Sequence, residues 1–172
     1  VDNKYSFAEY IEEMKPVAGL PFFHTPGNHD HDLWESGDFA TMAKYKQNIG
    51  PSYYSYNLGK VHGVVLDDID CANPGTGKNA TYTNNLVQEQ LDWLKKDLSH
   101  VSKDTPIIVS MHAQMFANPG TGQTPNYAMT ASSASQLEDI LDDFTTVHIF
   151  TGHTHKMYNV DKTSSNKIFE HN

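Results

Sequence analysis

Arginine is missing from this chain, and all twelve basic residues are lysine. Because 21 acidic residues outnumber these 12 lysines, the formal net charge is −9 at pH 7. Proteins that bind nucleic acid present a basic stripe to the phosphate backbone, so this composition argues against a nucleic-acid partner. Without guanidinium groups, any bound phosphoryl group must be held by metal ions, histidine, lysine or backbone N–H groups.

Cysteine and long apolar runs are also scarce. The single cysteine, Cys71, cannot form an internal disulfide, so cysteine usage leaves the redox compartment open. No run approaches eighteen apolar residues, so the sequence predicts no membrane span. The chain begins with Val1-Asp2-Asn3 rather than Met, and we expect that residue 1 is not the start of the natural protein.

The length of 172 residues, with 38% apolar residues, predicts a single domain over residues 1–172. Helix-period patterns and capping boxes at Ser6 with Glu9 and at Ser135 with Glu138 predict four helices, over 6–18, 38–48, 86–98 and 135–144. Apolar or alternating runs predict strands at 21–24, 53–58, 61–66, 106–109, 147–150, 156–161 and 167–171. Helices that alternate with apolar strands indicate an α/β domain, and the consecutive strands add antiparallel pieces.

Three histidine-bearing segments each follow an apolar run: Gly27-Asn28-His29-Asp30, Ser110-Met111-His112-Ala113 and Gly152-His153-Thr154-His155. Histidine is the commonest metal-ligating side chain, and amide and carboxylate oxygens bind hard cations. Loops at the carboxyl ends of parallel strands meet in one crevice. On an extended strand end His153 and His155 would point to the same side. The pattern therefore predicts a metal centre, with aspartates expected beside these neutral ligands.

At these motifs the chain resembles the calcineurin-like metallophosphoesterases, a superfamily of dinuclear metal phosphohydrolases. That family carries D-x-H, G-D-x-x-D, G-N-H-[DE], a histidine after a strand, and G-H-x-H, and the last three are present in order. The first motif is absent, and Val1-Asp2-Asn3 is similar to the tail of the second. The resemblance implies a four-layer α/β/β/α sandwich with mixed sheets, incomplete at both ends, in a domain truncated N- and C-terminally.

The resemblance also implies a role for each matching residue. One metal ion would be bound by Asn28, His112 and His153, and the other by His155. The full-length protein would hold two divalent ions of the Mn, Fe or Zn class. This fragment would hold one or none. His29 would contact phosphate oxygens or protonate the leaving group, and Asp2 would orient His29. Asn3 stands where the family often has arginine.

The expected function is hydrolysis of phosphate mono- or diesters by a metal-bridging hydroxide. Two alternatives are a nuclease of the same superfamily and a catalytically incomplete metal-binding or interaction module. The acidic, arginine-free composition argues against the nuclease. Because the bridging aspartate would precede residue 1, we expect poor activity from these 172 residues alone. The expected partner is a small phosphoester; the sequence does not give its identity or the oligomeric state.

Several further features allow two interpretations. His31 and Asp32 either support the metal site or lie in a solvated loop, and the acidic run Asp67, Asp68 and Asp70 is predicted to be a solvated turn. The repeated Ala-Asn-Pro-Gly-Thr-Gly segments at 72–77 and 117–122 are interpreted as shared turn chemistry rather than paired loops around the site. The stretch 53–68 is similar to secreted or periplasmic bacterial family members, which predicts that location. Histidines and the cysteine outside the motifs are predicted to be structural: His24, His62, Cys71, His100, His148 and His171.

Overall fold

The structure is a computed structural model that describes residues 6–35, 37–71, 81–116, 127–157, 159–161 and 167–172. Five α-helices lie in this part of the chain: α1 (Phe7–Met14), α2 (Asp38–Thr41), α3 (Ala43–Asn48), α4 (Gln88–Leu98) and α5 (Ala131–Leu141). The eight strands are β1 (Tyr54–Leu58), β2 (Val61–Val65), β3 (Ile69–Asp70), β4 (Thr83–Asn84), β5 (Ile107–Ser110), β6 (Val147–Phe150), β7 (Asn159–Asp161) and β8 (Ile168–His171).

Six of these strands form one mixed sheet in the order β1-β2-β5-β6-β8-β7. The four inner strands run parallel, and β1 and β7 pair antiparallel at the two edges. Strands β3 and β4 form a separate two-stranded antiparallel sheet. The α/β class with a mixed sheet is therefore confirmed. The parallel inner strands also align the carboxyl ends of β5 and β6, where the histidine segments begin.

One face of the six-stranded sheet carries the hydrophobic core. Burial alternates along β5, β6 and β8, and the buried apolar side chains of these strands pack with those of helices α4 and α5. Each fully buried Leu, Ile or Val contributes about 1.5–3 kcal/mol relative to an exposed position. The centre of this core consists of Val64, Leu66, Leu91, Leu94, Leu98, Ile107, Val109, Leu137, Leu141, Val147, Ile149 and Ile168.

The hairpin predicted around Gly59-Lys60 is confirmed by strands β1 and β2. Gly59 has φ 62°, a left-handed conformation that glycine adopts at no steric cost. Within β2, Gly63 lies opposite Tyr56, whose ring crosses the glycine backbone. A Cβ atom at Gly63 would lie 2.2 Å from Tyr56 Cζ, so this close packing requires glycine.

The helix predictions hold in position but differ at several boundaries. The capping box of α1 is formed, because Glu9 N donates to Ser6 Oγ (3.2 Å) and Ser6 N donates to Glu9 Oε2 (2.9 Å). Helix α5 begins at Ala131 rather than at residue 135, because the Thr130 hydroxyl caps it by accepting from Ser133 N. The helix predicted over 38–48 is interrupted at Met42, which leaves the helical region (φ −94°, ψ 1°).

The predicted strand at 21–24 is wrong. This segment has no regular structure, and Phe22 and Phe23 are 41% and 38% exposed. The ring of Phe23 stacks on Tyr56 with centroids 3.6 Å apart, so the segment lies against strand β1 through side chains. An apolar run becomes a strand only where a neighbour supplies backbone hydrogen bonds, and no described strand pairs with this one.

Candidate metal centre

The three histidine segments meet at the carboxyl ends of β5 and β6. His112 Nε2 lies 2.7 Å from Asn28 Oδ1 and 3.0 Å from His153 Nδ1. The rings of His112 and His153 are 4.7 Å apart and inclined by 60°. Three of the four predicted ligands, from segments 41 and 84 residues apart along the chain, thus point at a common position.

A tight turn presents Asn28. Residues Asn28–Asp30 form one 3₁₀ turn in which Asp30 N donates to Gly27 O (2.9 Å) and Gly27 N donates to the Asp30 carboxylate (2.8 Å). The aspartate of this motif therefore holds the turn. Gly27 is required by packing, since a Cβ there would lie 2.9 Å from His112 Nδ1.

His112 is positioned by Asp68, which sequence reasoning assigned to a solvated turn. That assignment is wrong: Asp67 and Asp68 are 8% and 0% exposed. The Asp68 carboxylate accepts hydrogen bonds from the backbone N–H groups of His112 (3.0 Å) and Ala113 (2.7 Å). Burial raises the pKa of Asp68 to about 7, and these two hydrogen bonds oppose the rise. The acidic run is a structural support beneath the site.

Two tyrosines that the sequence did not single out border the centre. Asn28 Nδ2 donates to the Tyr82 hydroxyl (3.0 Å), which fixes the carboxamide so that Oδ1 faces His112. The rings of Tyr82 and Tyr127 lie 6.3 and 5.3 Å from that of His153. In the sequence both tyrosines adjoin polar segments with no periodic pattern, so no sequence signal places them here.

The loop that carries His153 and His155 has unusual backbone geometry. His153 and His155 have φ values of 66° and 56°, in the left-handed region rather than on an extended strand end. The extended strand end predicted for His153 and His155 is therefore wrong. Gly152 N donates to His112 O (2.9 Å), and Asn172 Nδ2 donates to Gly152 O (2.7 Å), which fixes the loop beside His112.

Two further predicted site residues, His29 and His155, lie at the edge of the centre. His29 and His155 are exposed, and their charges act on both His112 and His153, so both lie on the open side of the cluster. Asp2, predicted to orient His29, lies outside the described residues. His31 is buried and contacts Asp67, so the solvated-loop alternative does not hold for it.

Comparison with known proteins agrees with this geometry. A family model described as calcineurin-like phosphoesterase matches residues 1–157. The chain belongs to the calcineurin-like phosphoesterase family. The family predicted from the three histidine motifs is thereby confirmed. Purple acid phosphatase 15 of Arabidopsis thaliana is 27% identical over 159 residues, which cover 87% of this chain and 26% of that protein. The chain thus spans about a quarter of the relative's length.

In this calcineurin-like domain, burial and neighbouring charge keep the central histidines neutral. Burial and, to a smaller extent, the charges of His153, His29 and His155 together lower the pKa of His112 to about 4. Burial and the charges of His155 and His29 also lower the pKa of His153. Neutral imidazoles keep the lone pairs that a metal ion needs.

The donor atoms fit the divalent ions that the family uses. Asn28 Oδ1 and His153 Nδ1 both lie within hydrogen-bond distance of His112 Nε2, which has at most one proton to share. Two ligands about 2.1 Å from an ion and at right angles are about 3.0 Å apart, close to the separations found here. An ion bound between them would satisfy all three atoms together. Because these donors carry no charge, a complete centre needs an anionic ligand as well.

No helix in the described part of this calcineurin-like chain combines the length and apolar character needed to cross a membrane.

Proposed function

We propose that this calcineurin-like domain hydrolyses phosphate mono- or diesters with two divalent metal ions. The observation that supports the proposal is the convergence of Asn28, His112 and His153, together with the family membership. Bound divalent ions supply Lewis acidity and lower the pKa of bound water toward about 7. Asn28, His112 and His153 would hold one ion, and His155 would help to hold the other. Manganese, iron and zinc suit such imidazole and oxygen ligands.

His29 is the proposed proton donor or phosphate contact. It follows Asn28 directly on the 3₁₀ turn, is exposed, and lies near enough to affect the pKa of His112 and His153. An imidazolium there can hydrogen-bond a phosphate oxygen in the ground state and protonate the leaving oxygen as it departs. Asp2 would hold its imidazole in the required tautomer.

The proposed substrate is a small phosphoester. With no arginine in the chain, the phosphate group would be held by metal ions and His29, while Tyr82 and Tyr127 would form an aromatic wall beside it. A nucleic-acid substrate is disfavoured by the net charge of −9. A salt titration of DNA binding tests this: we expect no binding at low salt, and tight salt-sensitive binding would favour the nuclease alternative.

The main experiment measures metal content and hydrolysis together. The longest natural form of the protein is loaded with manganese, iron or zinc, dialysed, and analysed by mass spectrometry for ions per chain. Hydrolysis of an aryl phosphate monoester and diester is followed in parallel. At least two tightly bound ions per chain with metal-dependent hydrolysis support the proposal. One or no ion and no hydrolysis with any metal would instead support a binding module that has lost catalysis.

A further inference from the structure

A second group of metal-ligating side chains lies apart from the centre formed by Asn28, His112 and His153. His31, Asp38 and Cys71 come from three separate segments, and one ligand atom of each lies within 4.8 Å of the others. His31 and Cys71 are 3% and 0% exposed, and Asp38 is half-buried. None of these residues belongs to the motifs of the family or contacts the centre described above.

The orientation of His31 matches that of a metal-bound imidazole. Its Nε2 lies 3.1 Å from Asp67 Oδ1, and its Nδ1 lies 3.5 Å from Cys71 Sγ. Metal-ligating histidines commonly donate the other ring N–H to a carboxylate, which fixes the tautomer. Ligands at about 2.0 Å (N) and 2.3 Å (S) in a tetrahedral zinc site are about 3.5 Å apart, the separation observed here.

The charges around this cluster favour a cation. Burial raises the pKa of Asp38, the charges of Asp67 and Asp70 raise it further, and only His31 opposes them through charge. The Cys71 backbone N–H also donates to Asp38 Oδ1 (2.9 Å), which draws the carboxylate toward the thiol. Burial lowers the pKa of His31, but its hydrogen bonds to Asp67 and Cys71 and their charges raise it to about 9, so positive charge is favoured here and a bound ion would replace a proton on Nδ1.

We propose that His31, Asp38 and Cys71 bind one divalent ion of the zinc class, separate from the phosphoesterase centre. Nitrogen, sulfur and carboxylate oxygen are the usual zinc ligands, and a water would complete four-coordination. The ion would replace the hydrogen bond between His31 Nδ1 and Thr41 Oγ1 (3.0 Å). Asp38 and Asp67 also line a cavity of about 180 Å³. Binding releases the thiol proton and any proton on His31 Nδ1 to solvent.

An ion at this position would stiffen the support of the main centre. His31 directly follows the turn that carries Asn28 and His29, and Asp67 precedes Asp68, the carboxylate that holds His112. Cys71 ends the same acidic segment. The ion would therefore join the first histidine motif to the loop beneath the second.

Cobalt(II) gives a direct test, because a thiolate bound to cobalt produces a sulfur-to-metal charge-transfer band in the near ultraviolet. The chain has a single cysteine, so any such band in the wild-type protein reports on Cys71. The apoprotein is titrated with cobalt and then with zinc. We expect one saturable band that zinc abolishes. No band at saturating cobalt would overturn the proposal, whatever the variants do.

Three variants test which residues produce the charge-transfer band. Cys71→Ser should remove the band, lower zinc content by one ion per chain and weaken cobalt binding at this site at least about 100-fold, more than loss of an indirect contact does. His112→Ala should keep the band, since it alters only the other centre. His62→Gln is the matched control, because His62 also pairs with a carboxylate, Asp97 (2.8 Å), but has no cysteine beside it. A band that persists in Cys71→Ser would contradict the assignment.

Discussion

Two histidine pairs in this molecule have the same nitrogen–nitrogen distance and different surroundings. His112 Nε2 lies 3.0 Å from His153 Nδ1, and His148 Nδ1 lies 3.0 Å from His171 Nε2. The rings of the first pair are inclined by 60°, whereas those of the second are nearly parallel at 17°. The first pair comes from two loops, and the second from the neighbouring strands β6 and β8.

The difference lies in how many partners each nitrogen has. In the second pair each nitrogen of His171 has one partner. His171 Nδ1 lies 3.0 Å from Asn159 Oδ1, and His171 Nε2 faces His148 Nδ1. In the first pair a single nitrogen, His112 Nε2, faces both Asn28 Oδ1 and His153 Nδ1. Convergence of several donors on one point, rather than closeness of two histidines, therefore distinguishes a candidate metal site.

Removal of one ring from each pair should affect metal binding very differently in the two cases. His112→Ala should weaken manganese binding by about 10³-fold, or about 4 kcal/mol, because the ion loses one of its ligands. His148→Ala should leave the metal affinity within about twofold of the wild-type value, since the His148 ring contacts His171 and none of the proposed metal ligands. Isothermal titration calorimetry on both variants measures the affinities. Equal losses in the two variants would show that the convergence has no special meaning.

Two buried carboxylates each hold a loop by accepting hydrogen bonds from two consecutive backbone N–H groups. Asp68 binds the backbone N–H groups of His112 and Ala113, and Glu170 binds those of Met115 (2.6 Å) and Phe116 (3.0 Å). Asp68→Asn and Glu170→Gln each put an amide N–H₂ against a backbone N–H and should cost about 1–3 kcal/mol of unfolding free energy.

Only Asp68→Asn should also lower the metal affinity. We expect metal affinity to fall about 10–100-fold in Asp68→Asn, as for other residues that orient a ligand, and to change little in Glu170→Gln. Urea unfolding and metal titration of both variants separate stability from positioning. A matching loss of affinity in Glu170→Gln would mean that general loosening of this loop, rather than placement of His112, is responsible.

Glycine substitutions give a smaller effect. Gly27→Ala introduces a Cβ atom 2.9 Å from His112 Nδ1, whereas a Cβ at Gly19 meets nothing within 4 Å. Gly27→Ala should displace the ring, lower the unfolding free energy by about 1–3 kcal/mol and reduce metal affinity about tenfold. Gly19→Ala should behave like the wild type. Unchanged metal affinity in Gly27→Ala would show that the His112 ring has room to move without leaving the site.

The smallest expected effect is the pH dependence of stability that results from the lowered pKa of His112. In metal-free protein its pKa is lowered to about 4 from 6.5, so between these values the unfolded chain binds a proton that the folded protein does not. Stability is therefore fully present above about pH 6.5 and falls as the pH drops toward 4. NMR titration of the His112 ring should show a midpoint near 4, and His112→Ala should reduce the acid dependence of unfolding. A midpoint near 6.5 would contradict a neutral, lone-pair-bearing ring.

Local patterns in the sequence predicted much of this molecule. The β1–β2 hairpin around Gly59, the α1 capping box of Ser6 and Glu9, and the buried runs of β5 and β6 each depend on neighbours in the chain. For the site, His112 and His153 could be found because the parallel strands β5 and β6 end at one edge of the sheet. Asn28 follows no strand and was found through its Gly-Asn-His-Asp motif.

Features that depend on distant partners were not predictable in the same way. Asp68 looked solvent-exposed because its hydrogen-bond donors lie 44 and 45 residues away, and Tyr82 contacts Asn28 across 54 residues. The run at 21–24 has strand composition, yet no described strand pairs with it. Burial and pairing by remote segments decide such cases, and local composition does not record them.

The left-handed backbone at His153 and His155 limits which amino acids this loop can accept over evolutionary time. Valine, isoleucine and threonine are strongly disfavoured at such φ values, whereas asparagine tolerates them. Asparagine also offers an oxygen donor in place of nitrogen. Substitution of either histidine by asparagine could therefore change the metal preference while the backbone keeps its conformation. Substitution by a β-branched residue could not.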